Sequence, residues 1–171
     1  PPRKRTSMPL GGLHPQAFAK STLHGAVRVR PLVGQDRTAW NALWKGYLDF
    51  YQTALLSAQY DLTFQRFLDP AEPMFAYLAE QDGAPRGLVH IILHRSGWLD
   101  RPACYLQDLY VEPATRGAGM GRALIEHVYE VVKDAGGEHV HWLTHETNAT
   151  ARKLYDRIAE NQGFIQYVKK L

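Results

Sequence analysis

A single cysteine, Cys104, stands in a chain of 171 residues. One thiol cannot close an internal disulfide, and no cysteine pair offers zinc-ligand spacing, so a disulfide scaffold and a cysteine zinc site are both excluded. Cys104 is left with the plain role of a small buried residue. Long apolar runs are lacking too: no segment reaches the roughly 18 residues a membrane span needs. Arg3, Lys4 and Arg5 are followed by no apolar stretch of the secretory kind, which makes the cytoplasm the expected compartment. Internal repeats are absent. Charge excess is small, +3 from 20 Lys and Arg against 17 Asp and Glu. Three of the basic residues sit in the first five positions, as expected of a solvated tail rather than a nucleic-acid-binding arm.

What is present reads as one globular domain. Hydrophobic residues make up 45% and charged residues 22%, and the length suffices for one proper core. Residues 1–25 mix Pro, Gly, Ser, Thr and basic residues without periodicity, so a flexible basic extension is expected there and a single domain over 26–171. Val27 and Val29 alternate with Arg28 and Arg30 in a short strand ending near Pro31. Asp36 is placed to cap a helix carrying Trp40, Leu43, Trp44, Tyr47, Tyr51 and Leu55 on one face. Those rings read either as core or as the lining of a substrate site. A second short helix falls between Gln52 and Pro73. Strands follow at Met74–Glu80 and Arg86–His94, joined by an Asp82-Gly83 turn, and at Ala103–Val111. A helix runs from Gly119 to Gly136-Gly137, then a strand at Val140–Thr144, a helix from Asn148 to about Glu160, and a last strand at Phe164–Val168. The predicted fold class is α/β, a mixed and mostly antiparallel sheet flanked by helices.

The most informative segment is Arg116-Gly117-Ala118-Gly119-Met120-Gly121, lying between a strand and a helix. Glycines allow a tight turn with amides pointing inward, and the helix start adds unpaired N–H groups and a positive dipole end. Arg116 and Arg122 bring charge suited to phosphate oxygens. Gly-x-Gly-x-x-Gly fails, because Arg122 occupies the third glycine position; the P-loop fails for want of Gly-Lys-Ser or Gly-Lys-Thr. A helix start with glycines chosen for packing is the plain alternative. About thirty residues on stand Asn148, Ala151 and Tyr155, spaced as Asn-x-x-Ala-x-x-x-Tyr, with Gly163-Phe164 beyond.

Arg-x-x-Gly-x-Gly followed by that second element resembles the GNAT acetyltransferase superfamily over roughly residues 26–171, most like the branch of spermidine/spermine and small histone or amino-acid acetyltransferases. The resemblance implies a GNAT-type sheet, acetyl-CoA as cosubstrate, and direct transfer of acetyl to a primary amine. The acceptor classes it leaves are a small amine, a polyamine, an amino acid or a protein lysine. Implied cofactor positions are Leu109, Tyr110 and Val111 on the strand, Arg116, Gly117, Ala118, Gly119, Met120, Gly121 and Arg122 in the turn, and Asn148, Ala151 and Tyr155. The Leu109 amide would polarise the thioester carbonyl. A homodimer is implied as well, with no nucleic-acid or membrane partner.

Chemistry narrows the catalytic candidates. An alkylammonium with a pKa around 10 must lose a proton before attack. The polyamine-like pattern usually has Glu-Asp where this chain has Gln107-Asp108, and glutamine cannot take that proton. Asp108, a water ordered by Gln107 or by a backbone carbonyl, and His145 remain; successive strand residues point to opposite faces, so Asp108 does not simply replace its neighbour. Tyr155 suits protonation of the leaving thiolate, against the plain alternative of a packed tyrosine. Trp44, Tyr47, Tyr51, Gln107 and His145 are the substrate candidates, with Asp49, Asp61 or Asp108 supplying charge. His139, His141 and His145 share a strand face but have no carboxylate at ligand spacing, and no metal is expected. Asn148 also suits a helix N-cap. A coenzyme A-binding regulator without chemistry is the alternative function that Gln107 motivates.

Overall fold

Alternating apolar and polar side chains build the sheet of the computed structural model, which describes residues 11–171. Among the described residues the strands are β1 (Thr22–His24), β2 (Val27–Pro31), β3 (Met74–Gln81), β4 (Ala84–His94), β5 (Ala103–Val111) and β6 (Val140–His141). The helices are α1 (Arg37–Phe50), α2 (Ser57–Leu68), α3 (Met120–Asp134) and α4 (Ala149–Ile158). The strands lie in sequence order across one sheet, antiparallel up to β5 and parallel between β5 and β6. Asp82 (φ 51°) and Gly83 (φ 76°) both take the left-handed conformation that a two-residue hairpin between β3 and β4 requires.

Two cores follow from the two sheet faces. On one, α3 packs Leu124, Ile125, Val128 and Val131, each 0% exposed, over Val29, Tyr77, Ile91 and Leu106. Full burial of each such aliphatic side chain contributes roughly 1.5–3 kcal/mol. On the other face α1 and α2 bring Trp40, Trp44, Phe64 and Phe67 over Leu78 and Leu88.

Several expectations need correction. Residues 1–10 of the expected extension lie outside the described residues, but its remainder joins the fold ahead of Ala26. Phe18 stacks on Phe75 at 4.3 Å, the His14 amide bonds to the Ala135 carbonyl at 2.8 Å, and β1 pairs with β2. A five-residue 3-10 turn (Pro15–Ala19) and a three-residue strand are too short to show periodicity. At the other end no strand forms at Phe164–Val168; Phe164, Ile165, Tyr167 and Val168 are 79, 75, 87 and 75% exposed. Alternation supplies two faces but not the neighbouring strand that must receive the ladder. The expected strand at Val140–Thr144 stops at His141. Asp36 does not cap α1 by its side chain. Its carboxylate accepts instead from Arg30 at 2.7 and 2.9 Å and from the Val33 amide at 2.9 Å.

Candidate active site

The geometry of the site begins with an irregularity in β5. His90 pairs with Asp108 but Ile91 pairs with Leu106, which leaves Gln107 as an extra, exposed residue in a bulge. Parity changes there. Cys104 and Leu106 belong to the α3 core, whereas Asp108 sits beside His90 and Tyr110 packs on the α1 core. Leu109 and Val111 then take over the α3 side. The bulge thus sets Asp108 facing the aromatic helix α1.

The same strand loses its neighbour beyond the bulge. β6 pairs only with Cys104 and Tyr105. The Glu112 amide bonds back to Arg86 on the β4 side at 2.9 Å, so alternation turns the N–H and C=O groups of Leu109 and Val111 toward the opposite, open edge. The Val111 carbonyl there accepts from Arg116 Nε, and the remaining edge groups suit an extended amide-bearing ligand.

Asp108 is 6% exposed and surrounded by rings. Its Oδ2 bonds to His90 Nδ1 at 2.9 Å, and His90 Nε2 accepts from Trp40 Nε1 at 2.9 Å. The Tyr47 hydroxyl interacts with the carboxylate; burial first, then Asp108, raises the Tyr47 phenol well above the usual tyrosine range. Tyr51 and Tyr105 are shifted upward by the same two causes in the same order. Tyr47 stacks on Trp44 at 5.0 Å and meets the tilted Tyr51 ring at 5.0 Å. Trp44 is 7% exposed and, among the described residues, its indole N–H has no acceptor. Of the aromatic stripe, Trp40 and Leu43 are core, and Tyr47 and Tyr51 open toward solvent. Asp49 is held by Lys45 and Asp61 by Arg37, so Asp108 is the carboxylate among the rings. Gly46 in α1 lets the Tyr110 ring approach the helix backbone, since a Cβ there would collide with the Tyr110 hydroxyl.

The turn after β5 has the form of an anion cradle. Gly117 (φ 86°) and Gly119 (φ 81°) adopt left-handed conformations, with open space where a Cβ would stand. The Ala123 amide makes the bond to the Gly119 carbonyl at 2.9 Å, so the amides of Met120, Gly121 and Arg122 precede the first full helical bond. The two arginines are differently engaged. Arg116 donates from Nε to the Val111 carbonyl at 3.1 Å and lies 5.9 Å from the Tyr110 and Phe50 ring centres. Arg122 pairs with Glu126 at 2.6 Å, exposed, and one turn along the helix.

Helix α4 follows β6 and meets α3, where the Tyr129 hydroxyl donates to the Ile158 carbonyl at 3.2 Å. Asn148 caps it, accepting from the Ala151 amide at 3.4 Å and donating to Thr144 Oγ1 at 3.3 Å. Tyr155 packs edge-on against Trp142 at 5.4 Å; burial, then Tyr51, pushes its phenol up to about 12. His145 is exposed and bonds to Thr147 at 2.7 Å, outside the ring cluster around Asp108. His141 contacts His94 at 2.9 Å and stacks on Tyr105. His90 and Tyr105 were absent from the sequence-based site residues. A lone histidine inside the apolar run Leu88-Val89-His90-Ile91-Ile92 was the available signal, because a buried imidazole needs partners.

A sheet edge that opens beyond a bulge, with a glycine-rich turn and helix start beside it, suits a coenzyme A-dependent acyltransferase. The sequence matches the acetyltransferase (GNAT) family over residues 40–159, and the chain belongs to that family. It is accordingly an N-acetyltransferase that uses acetyl-CoA as cosubstrate. The D-amino-acid N-acetyltransferase HPA3 of Saccharomyces cerevisiae is 34% identical over 141 residues, covering 81% of this chain and 88% of that protein. The mycothiol acetyltransferase of Beutenbergia cavernae is 31% identical over 154 residues, covering 86% of this chain and 48% of the other. The fold matches AAC(6')-Iy in complex with a bisubstrate analog, with a TM-score of 0.74 and 17% identity over 85% of this chain and 98% of that one. Among the described residues no helix is long and apolar enough to cross a membrane.

Proposed function

We propose that the protein transfers acetyl directly from acetyl-CoA to the primary amine of a small molecule, with Asp108 receiving the ammonium proton. The observation carrying this reading is a buried carboxylate among rings: Asp108 is 6% exposed, beside Tyr47 and Tyr51 at the end of α1. Tyr51 in turn raises the Tyr155 phenol, so the ring stands between the proton acceptor for the amine and the proton donor for the thiolate. Tyr47, Tyr51 and Tyr105 offer ring faces to the cation beside the carboxylate. The diphosphate rests on the amides of Arg116 to Arg122, and the pantetheine arm bonds to the edge groups of Leu109 and Val111. The Leu109 amide then stabilises the charge that develops on the thioester oxygen. Deprotonated amine attacks the carbonyl, Tyr155 gives its proton to the departing sulfur as the tetrahedral species collapses, and the second N–H proton of the adduct restores the phenol.

Identity of 34% to a D-amino-acid N-acetyltransferase puts amino acids first among acceptors. Amino acids of both hands, polyamines and lysine peptides, incubated with acetyl-CoA and followed by product mass and thiol release, test the reading. Turnover on at least one small amine is expected; acetyl-CoA binding with no turnover on any acceptor identifies a regulator instead. Tyr155→Phe is expected to lower kcat roughly tenfold or more, with acetyl-CoA affinity little changed. Resemblance to the polyamine branch supports a homodimer, which a monomer mass in light scattering overturns.

A further inference from the structure

His90 has no role in acetyl transfer as described so far, yet it is 1% exposed and touches Asp108. Its ring is enclosed by Trp40, Trp44 and Phe67 at centroid distances of 5.9, 4.9 and 4.3 Å. An indole N–H only donates, so the 2.9 Å contact from Trp40 makes His90 Nε2 the accepting lone pair. The ring proton therefore sits on Nδ1 and is donated to Asp108, an assignment that rests on the partners of both nitrogens. A second proton at Nε2 would set two N–H groups against each other inside a cage of rings. Trp40 thus bars the imidazolium. An imidazolium beside Asp108 would neutralise the carboxylate internally, whereas a neutral ring only orients it. The remaining titratable groups facing Asp108 are Tyr47 from α1, Tyr51 at the end of α1, and Tyr105 from β5, all phenols held protonated by burial and by Asp108. Among the described residues no lysine or arginine pairs with Asp108, whose ion-pair-range contact is His90.

We infer that His90 and Trp40 are positioning residues: Trp40 fixes the imidazole as a neutral Nδ1–H donor, and His90 aims Asp108 while leaving its negative charge to the incoming ammonium. The inference rests on the role given to Asp108 above. It requires the acceptor to arrive as a cation and to give up its proton at the site.

Nitrogen-15 spectra of the full chain with labelled histidine, His90 being assigned by the signal lost in His90→Asn, read the tautomer directly. A neutral ring protonated at Nδ1 near neutral pH is expected; an imidazolium or an Nε2–H ring overturns the inference whatever the variants do. Kinetics on an accepted amine supply the second arm. His90→Leu is expected to lower kcat/KM for the amine on the order of tenfold or more, with KM for acetyl-CoA unchanged. His90→Asn, whose amide can donate where Nδ1 did, recovers most of that loss. In Trp40→Phe the indole no longer fills Nε2, so the same spectra should show the preference for the Nδ1–H ring weakened; an unchanged tautomer removes the role of Trp40. An Asp108→Asn enzyme as active as wild type removes the role of Asp108 itself. Impaired Asp108→Asn with unimpaired, folded His90→Leu removes only the role of His90.

Discussion

Among the described residues two histidines are buried against this sheet, one on each face, and they are treated oppositely. His127 of α3 is 0% exposed; its Nδ1 bonds to Thr22 at 2.8 Å, while its Nε2 has no partner among the described residues. Burial first, then His24 and Lys20, pushes it down to about 3. His90 on the α1 face has both nitrogens bonded, one of them to a carboxylate at the splayed edge. An orphaned nitrogen inside an aliphatic core is a cost borne by folding. A fully bonded one under a ring-lined opening is an arrangement that directs a neighbour. The α3 face holds the molecule together, and the α1 face stores the polar groups that do chemistry.

The largest effect should come from the α1 face. Asp108→Asn keeps the shape and removes the charge and the proton acceptor, so kcat/KM for the amine should fall roughly 10²- to 10⁴-fold. Its melting temperature should stay close to wild type, because Asn still accepts from His90. A large loss of stability with activity kept per folded molecule would reverse the division between faces. Leu124→Ala should do the opposite. Leu124 is 0% exposed in the α3 core, and truncation there costs about 2–5 kcal/mol in urea unfolding while kcat per folded molecule holds. Gly46→Ala should act less, since the collision with Tyr110 costs about 1–3 kcal/mol and the gain in helix propensity offsets about 1. Displacement of Tyr110, seen as a changed ring environment by NMR, is the accompanying sign.

Much of this division was legible from residue order. Val27 and Val29 marked β2, Ala103–Val111 marked β5 to the residue, and the spacing of Leu124, Ile125, Val128 and Val132 marked α3 from Gly119 onward. Asn148, Ala151 and Tyr155 fell on one helix, with Asn148 at its N-cap. The bulge at Gln107 was not legible. A period of two has no mark for an extra residue, so Asp108 was expected to face away from the place a missing carboxylate left open. His90 escaped because it is a tertiary contact: its meaning depends on Trp40, fifty residues earlier, and on Asp108, eighteen later. The docking of Leu13 and Phe18 was hidden for a similar reason, their partners lying on other elements.

The smallest effect is a slope with pH, and it tests the orphaned histidine. In the unfolded chain a histidine binds a proton below about pH 6.5, whereas folded His127 resists it down to about 3. Between those values the unfolded state holds more protons than the native one, so stability rises with pH and is lost as pH falls. At about pH 5.5 that loss is on the order of 1 kcal/mol relative to neutral pH. Replacing His127 with Phe removes the linked proton, so the variant's urea midpoint should move less than that of wild type between about pH 7 and 5.5. Equal slopes in the two proteins would mean that His127 opens to solvent and is no counterpart to His90. A steeper wild-type slope, together with an Nδ1–H tautomer at His90, would fix the contrast: one buried imidazole neutral because nothing reaches it, the other neutral because Trp40 occupies its second nitrogen.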